Sequence, residues 1–157
     1  MTLDLVVWLL AMFMQSGLLG MTMYTLICLT DLENDYINPH DASARVNKWV
    51  IPEVVLQCTF AGILLVGGKW IAGMLPLGLA AWCIRSFTKG TAYTDVTEIF
   101  KQVSEEKKNR FIKLGVHLFM FVLTIYRLVN AAVHGLLTDE AKEVAKRLLQ
   151  DSIGSPY

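Results

Sequence analysis

The sequence predicts an all-α integral membrane protein with four transmembrane helices, of which the middle two form a short hairpin. Three observations support this fold class: 54% of the 157 residues are apolar, only 18% are charged, and the apolar residues form long uncharged runs. Ordinary soluble domains are about 25% charged, and a small one needs polar residues to cover its large surface. A disordered chain would be charge-rich. The chain has 14 acidic and 14 basic residues, so we expect no nucleic-acid partner.

The first predicted span covers residues 5–30, a run without a charged side chain. As a helix it would be about 39 Å long, which crosses a hydrocarbon core of about 30 Å with some tilt. The residues before it include Asp4 and no basic residue. A cleaved signal peptide has a basic start and a shorter apolar core. We therefore interpret this segment as a retained span.

The next two predicted spans, 50–68 and 70–87, are short and meet at Gly67, Gly68 and Lys69. Two glycines followed by a charged residue predict a turn at the membrane surface. Two short antiparallel helices fit this region better than one long crossing. The alternative, a single crossing here and three spans in all, stays open.

The last predicted span, 111–137, is long enough to cross but is interrupted by polar residues. These are Lys113, His117, Arg127, Asn130 and His134. Charged groups at such positions are usually paired or functional. By depth along the helices, we expect Glu53 to pair with Arg85 or Lys113 near one face. At the other face we expect Arg127 to pair with Asp4 or to extend to the headgroups.

The loops 31–49 and 88–110 carry more basic residues than the opposite side of the predicted spans. The positive-inside rule then places both loops in the cytosol and both termini outside. The first loop is rich in Asp, Asn and Pro, which favour turns. The remaining segment, 138–157, predicts an amphipathic C-terminal tail with Thr138 as its helix cap. Its basic residues would also suit the cytosol, so the side on which it lies stays open.

A short amphipathic helix is predicted within the second loop. Asp95 and Glu98 have the spacing of a capping box. Apolar residues follow at helical intervals, and they are Val96, Ile99, Phe100 and Val103. Two interpretations stay open: this helix rests on the membrane surface, or it presents Ile99 and Phe100 to a groove on a partner.

The sequence contains no recognisable reactive site. Its three cysteines fall one in each of three apolar segments and lack the spacing of a metal site, and no phosphate-binding or nucleophile motif is present. We predict a protein that is not an enzyme and that uses no cofactor or metal. Five residues on the spans are candidates for contacts with other membrane proteins or for packing between the helices. They are Gly17, Gly20, Glu53, Gln57 and Arg127.

Four motifs resemble those of the cornichon family in order and spacing. They are DLENDYINP at 31–39, NKWVIPE at 47–53, TEIF at 97–100 and IKLGVHLFMF at 112–121. The resemblance implies a cargo receptor that recruits transmembrane proteins in the endoplasmic reticulum into coat protein complex II vesicles bound for the Golgi. It implies cargo proteins, coat subunits and the lipid bilayer as partners, and residence in the endoplasmic reticulum membrane with cycling to the early Golgi. The tail is similar to that of plant members.

The resemblance also implies a coat-binding segment in the second loop. Its residues here are Ile99, Phe100, Lys101, Gln102 and Val103, of which the last two depart from the pattern of yeast members. The candidate residues on the spans would then contact cargo or pack the helices together. Two other functions stay open: a small membrane transporter or pore that uses Glu53, Gln57, His117 and Arg127, and an auxiliary subunit of a membrane channel. Formation of a homo-oligomer stays open as well.

Overall fold

The computed structural model describes residues 2–154, which form five α-helices joined by short connections. The helices are α1 (Thr2–Glu33), α2 (Pro39–Lys48), α3 (Val50–Val66), α4 (Trp70–Thr88) and α5 (Ile99–Ile153). Within this range the chain has no β-strand. Four helical stretches are long and apolar enough to cross a membrane: α1, α2 together with α3, α4, and α5. The predicted fold class is therefore confirmed.

The helices pack as a bundle in which α1 lies between α5 and α3, and α4 packs chiefly on α3. The core beneath these contacts is a cluster of buried apolar side chains. Its members are Trp8, Ala11, Leu18, Phe60, Leu64 and Met120. Large apolar side chains are also exposed on the outside, such as Phe13 on α1 and Phe119 on α5. Helices that are apolar both on the side facing the bundle core and on the outer side are typical of proteins that span a membrane.

The turn between α3 and α4 has the geometry that the two glycines predict. Gly68 adopts a positive φ of 73°, a conformation that glycine reaches without steric cost. The Gly68 N–H donates to the Leu65 carbonyl at 3.1 Å, and the Lys69 N–H donates to the Leu64 carbonyl at 2.9 Å. This pair of bonds is a Schellman motif, which ends α3 and reverses the chain. The predicted hairpin is therefore present.

The first loop contains a helix that composition did not predict. Asn38 is the N-cap of α2, with its side-chain oxygen accepting the His40 N–H at 3.3 Å. Pro39 follows at the first helical position, where its fixed φ suits the helix and its missing N–H costs nothing. The expectation of turns throughout this loop was wrong because residues that favour turns also cap helices.

The helix α2 holds the two large loops together through its side chains. Ser43 Oγ donates to the Thr94 carbonyl at 2.7 Å, and Asn47 Nδ2 donates to the same carbonyl at 3.0 Å. The Thr94 N–H in turn donates to Asn47 Oδ1 at 2.8 Å. The residues leading into α5 are therefore fixed against α2.

The start of α5 differs from the predicted capping box. Asp95 Oδ1 accepts the Thr97 N–H at 3.2 Å and the Thr97 hydroxyl at 3.1 Å, which makes a local turn. Glu98 is the N-cap position of α5 and makes no side-chain capping bond. The capping-box prediction was wrong because the Asp95 side chain bonds within its own turn.

The predicted tail is helical, but it does not begin as a separate helix at Thr138. This helix has 55 residues and runs without interruption from the membrane segment to Ile153. Thr138 does not cap a new helix, because its hydroxyl donates to the His134 carbonyl one turn earlier at 2.7 Å. Residues 139–153 are exposed throughout. The predicted tail, 138–157, is thus a continuation of the last span as far as the structure describes it, and residues 155–157 lie outside the described residues.

Candidate functional site

The bundle has two ends with different polar groups. We call the end that contains the starts of α3 and α5 the Glu53 end, and the end that contains the α3–α4 turn the Lys69 end. Because α1 and α5 are antiparallel, Glu33 pairs with Lys107 at the Glu53 end. At the other end Asp4 pairs with Lys69 at 2.9 Å. Other polar side chains lie at successive depths between these two ion pairs.

A buried ionic cluster lies at the Glu53 end. Glu53 Oε1 accepts from Lys113 Nζ at 3.2 Å, and Glu53 Oε2 lies 3.8 Å from Arg110 Nη1. Glu53 and Arg110 are only 6% and 5% exposed. Arg110 Nη1 also donates to the Thr25 hydroxyl on α1 at 2.9 Å. The cluster therefore links α1, α3 and α5 at one point.

The predicted partner Lys113 is confirmed, whereas the alternative Arg85 does not form this pair and Arg110 was missed. Arg110 could have been found from its position three residues before Lys113, which places both on one face of a helix. It was overlooked because it falls in the segment assigned to the second loop.

A small cavity of about 50 Å³ lies beside the ionic cluster, between α3, α4 and α5. Lys113 Nζ stands 5.6 Å from the centroid of the Trp82 ring on α4, at the distance of a cation–π contact. Glu106 Oε2 lies 3.7 Å from Arg110 Nε. This cavity has charged walls of both signs, so the groups that line it neutralise one another.

Two glutamines occupy the middle of the bundle. Gln15 Nε2 donates to the His117 carbonyl at 2.8 Å and lies 3.1 Å from Nδ1 of the same residue. Gln57 Nε2 donates to the carbonyl of Pro76 at 3.0 Å. These contacts join α1 to α5 and α3 to α4. Both glutamines therefore pack helices against each other within this chain.

The predicted pair of Arg127 and Asp4 was wrong. Asp4 pairs with Lys69 on the α3–α4 turn, and Arg127 is exposed in the cavity that both of those residues line. Asp4, Lys69 and Arg127 all lie at the Lys69 end, as depth along the helices predicted. Which of the two basic side chains faces the carboxylate depends on the rotation of each helix.

The two predicted glycines of α1 have different surroundings. A Cβ on Gly17 would lie 3.3 Å from Leu56 Cδ2 on α3, so this position is a site of helix packing. A Cβ on Gly20 would meet nothing within 4 Å, and Gly20 is exposed. Of these two glycines, Gly20 is therefore the better placed to contact another protein.

The segment 99–103 is divided between the core and the surface. Ile99 and Val103 are 0% and 5% exposed and pack with Leu32 and Ala42 of α1 and α2. Phe100 is 64% exposed. Lys101 is also exposed, and Gln102 Nε2 donates to Glu98 Oε2 at 3.2 Å. The first turn of α5 is thus anchored by two apolar residues and presents an aromatic and a basic side chain.

Among the described residues, no group of three or more His, Cys, Asp or Glu side chains could hold a metal ion. The three cysteines are free thiols and two of them are buried. The charged and polar side chains contact one another across helices. The arrangement is suited to holding helices together, and it defines a small helical membrane protein with four candidate spans.

Sequence comparison gives the family. A family model described as "Cornichon protein" matches residues 5–126, and the chain belongs to the cornichon family. It is 38% identical over 149 residues to "Protein cornichon homolog 2" of Oryza sativa subsp. japonica, covering 95% of this chain and 100% of that protein. It is 36% identical over 130 residues to "Protein cornichon homolog 4" of Arabidopsis thaliana, covering 83% and 95%.

A fission yeast relative carries a descriptive name. The chain is 34% identical over 110 residues to "ER-derived vesicles protein erv14" of Schizosaccharomyces pombe, covering 70% of this chain and 80% of that protein. No solved structure matches the chain. The family model ends within α5, so the exposed end of that helix lies beyond the matched residues.

Proposed function

We propose that this protein is a cargo receptor that recruits transmembrane proteins in the endoplasmic reticulum into coat protein complex II vesicles for transport to the Golgi. Its membership of the cornichon family and its similarity to a protein named for ER-derived vesicles support an export role. Such a receptor needs one surface for cargo within the membrane and one for the coat in the cytosol. The structure offers a candidate for each.

The observation that carries the proposal is the exposure of Phe100 on an anchored helical turn. The buried side chains of Ile99 and Val103 fix this turn against α1 and α2, while Phe100 projects from it. An exposed aromatic side chain on a rigid element loses little conformational freedom when it enters a groove. Phe100 is therefore the proposed anchor for the coat, with Lys101 at the rim of the contact.

The proposed cargo surface is the face of α1 around Gly20. This glycine lies in the membrane segment, is exposed, and has open space where a side chain would stand. A small residue allows the backbone of another helix to approach closely, which is how membrane helices commonly associate. The occupant would be a transmembrane helix of a cargo protein.

The internal polar contacts favour this adaptor role over transport. Glu53, Gln57 and His117 are bonded to separate partners on neighbouring helices, at 3.2, 3.0 and 3.1 Å. These interactions hold the bundle together, which is what a receptor that presents its outer surfaces requires. A transporter would instead use such groups to bind a substrate near the midplane.

The test is binding of purified coat subunits to the protein in proteoliposomes, with Phe100→Ala compared with the wild type. A hot-spot aromatic residue contributes on the order of 2 kcal/mol or more, so affinity should fall roughly 30-fold. Phe119→Ala is the matched control, since Phe119 is similarly exposed on the same helix but lies in the membrane span. Equal loss in both variants, or none in Phe100→Ala, would refute the coat contact.

Ile99 is unsuitable as a test of docking. Its side chain is fully buried, and truncating a buried isoleucine to alanine costs about 2–5 kcal/mol of stability. A variant that combines Ile99→Ala with Phe100→Ala would lose the anchoring of α5 together with any coat contact. The single change at Phe100 separates these effects.

A further inference from the structure

A cavity of about 390 Å³ opens at the Lys69 end of the bundle. Side chains from the start of α1, from the α3–α4 turn and from α5 line it, including Trp8, Lys69, Arg127 and His134. A second hollow of about 270 Å³ shares Trp8, Lys69 and Arg127 and adds Trp70. The two basic residues therefore stand where both hollows meet.

The charge of this site is positive. Asp4 is the acidic residue in its lining and is paired with Lys69 at 2.9 Å. Among residues 2–154, no carboxylate lies within ion-pair distance of Arg127. Lys69 and Arg127 carry two positive charges and Asp4 carries one negative charge, so the site has a net positive charge that would attract an additional anion. Asn130 and His134 add hydrogen-bonding groups to the same wall.

The depth of the site matches that of lipid headgroups. Arg127 lies about 24 Å along α5 from Phe111, where the last span is predicted to begin, and so comes near the opposite membrane face. Trp70, the first residue of α4, lines the adjoining hollow and is 70% exposed, as is common for tryptophans at the membrane interface. With a hydrocarbon core of about 30 Å, an arginine at this depth reaches the lipid phosphate groups through its long side chain.

We propose that this cavity binds the phosphate headgroup of an anionic phospholipid from the adjoining leaflet. Arg127 supplies a planar set of N–H donors that matches phosphate geometry, and Lys69 supplies a second positive charge from another element. The lipid would bridge α5 to the α3–α4 turn. This ligand is independent of cargo and coat, and its site is at the opposite end of the bundle from Phe100.

The test is lipid-dependent stabilisation of the purified, delipidated full chain in a non-ionic detergent. Dioctanoyl phosphatidic acid should raise the midpoint of thermal unfolding at lower concentrations than dioctanoyl phosphatidylcholine or inorganic phosphate. Lys69→Gln and Arg127→Gln should each weaken the apparent affinity about fivefold, on the basis of about 1 kcal/mol per basic residue at a membrane surface. Lys108→Gln, which removes an exposed charge at the Glu53 end, should leave it unchanged.

Asp4→Asn provides a change of opposite sign. It removes the competing carboxylate from Lys69, so phosphatidic acid should bind more tightly than to the wild type. A purely structural role of the Asp4–Lys69 pair would not produce this gain. Should Arg127→Gln fail to fold, Arg127→Lys keeps the charge and should retain the preference for the anionic lipid. Equal effects of the two lipids, an equal effect of inorganic phosphate, or an equal loss in Lys108→Gln would overturn the proposal.

Discussion

Removing the buried carboxylate of Glu53 should strongly destabilise the bundle. In Glu53→Gln the shape is preserved, but Lys113 at 3.2 Å and Arg110 at 3.8 Å lose the charge that they share. With an effective dielectric constant of about 20, these distances correspond to about 5 and 4 kcal/mol of attraction before the cost of desolvation. Breaking a buried ion pair from one side typically costs 3–5 kcal/mol. We therefore expect a loss of at least about 3 kcal/mol.

The measurement is reversible unfolding in mixed micelles by increasing amounts of denaturing detergent, followed by circular dichroism. Asp4→Asn is the matched control because it breaks a single ion pair whose side chains are 53% and 27% exposed. Pairs of this kind contribute about 0–1 kcal/mol. Adding Lys113→Gln to Glu53→Gln should recover part of the loss, since one unpaired cation is then removed.

The result that would refute this reasoning is a loss below about 1 kcal/mol in Glu53→Gln, equal to that in the control. The ionic cluster would then be solvated, and Glu53 would serve only as a favourable charge in the first turn of α3. If the double variant is no more stable than Glu53→Gln alone, the destabilisation does not come from leaving Lys113 unpaired.

Three further outcomes follow from the packing. Gly17→Leu should destabilise the bundle in the detergent unfolding assay, since a Cβ at Gly17 would already lie 3.3 Å from Leu56 on α3. Gly20→Leu should leave the stability unchanged but reduce the cross-linking and co-purification of cargo, because a Cβ at Gly20 meets nothing within 4 Å. Gln15→Leu should cost about 1–3 kcal/mol in the same unfolding assay, because His117 loses a buried hydrogen-bond donor. Truncation after residue 137 should leave the unfolding midpoint unchanged, because the removed residues that the structure describes are almost entirely exposed.

The spans and the hairpin could be predicted from the sequence because long uncharged runs and a Gly-Gly-Lys turn are local signals. The partner of Glu53 could be narrowed to Arg85 or Lys113, because depth along two helices limits the partners, and the structure selects Lys113. Depth could not choose between Lys69 and Arg127 for Asp4, since that choice depends on the rotation of each helix. Burial was hardest to predict from the sequence: of the four residues in the apolar stripe of the second loop, Ile99 and Val103 are buried, whereas Val96 and Phe100 are exposed.

The missed helix α2 did have a signal, since Asn38 followed by Pro39 is a common helix start. It was outweighed by the overall composition of the loop. The predicted helix start at Thr138 was wrong for a different reason. Thr138 can cap a helix, but in a continuing helix its hydroxyl bonds to the preceding turn instead. Sequence alone does not distinguish these two roles.

The most direct test of the proposed export function is a vesicle-budding assay on endoplasmic reticulum membranes that lack the endogenous protein. The membranes are supplied with the wild type, Phe100→Ala or the control Phe119→Ala, and the packaging of the receptor and a co-purifying cargo protein is scored together. We expect the wild type and Phe119→Ala to restore packaging of both. In Phe100→Ala, cargo should remain bound to the receptor while both stay in the donor membranes. Normal packaging with Phe100→Ala would contradict the coat contact, and packaging of cargo without any receptor would contradict the receptor function itself.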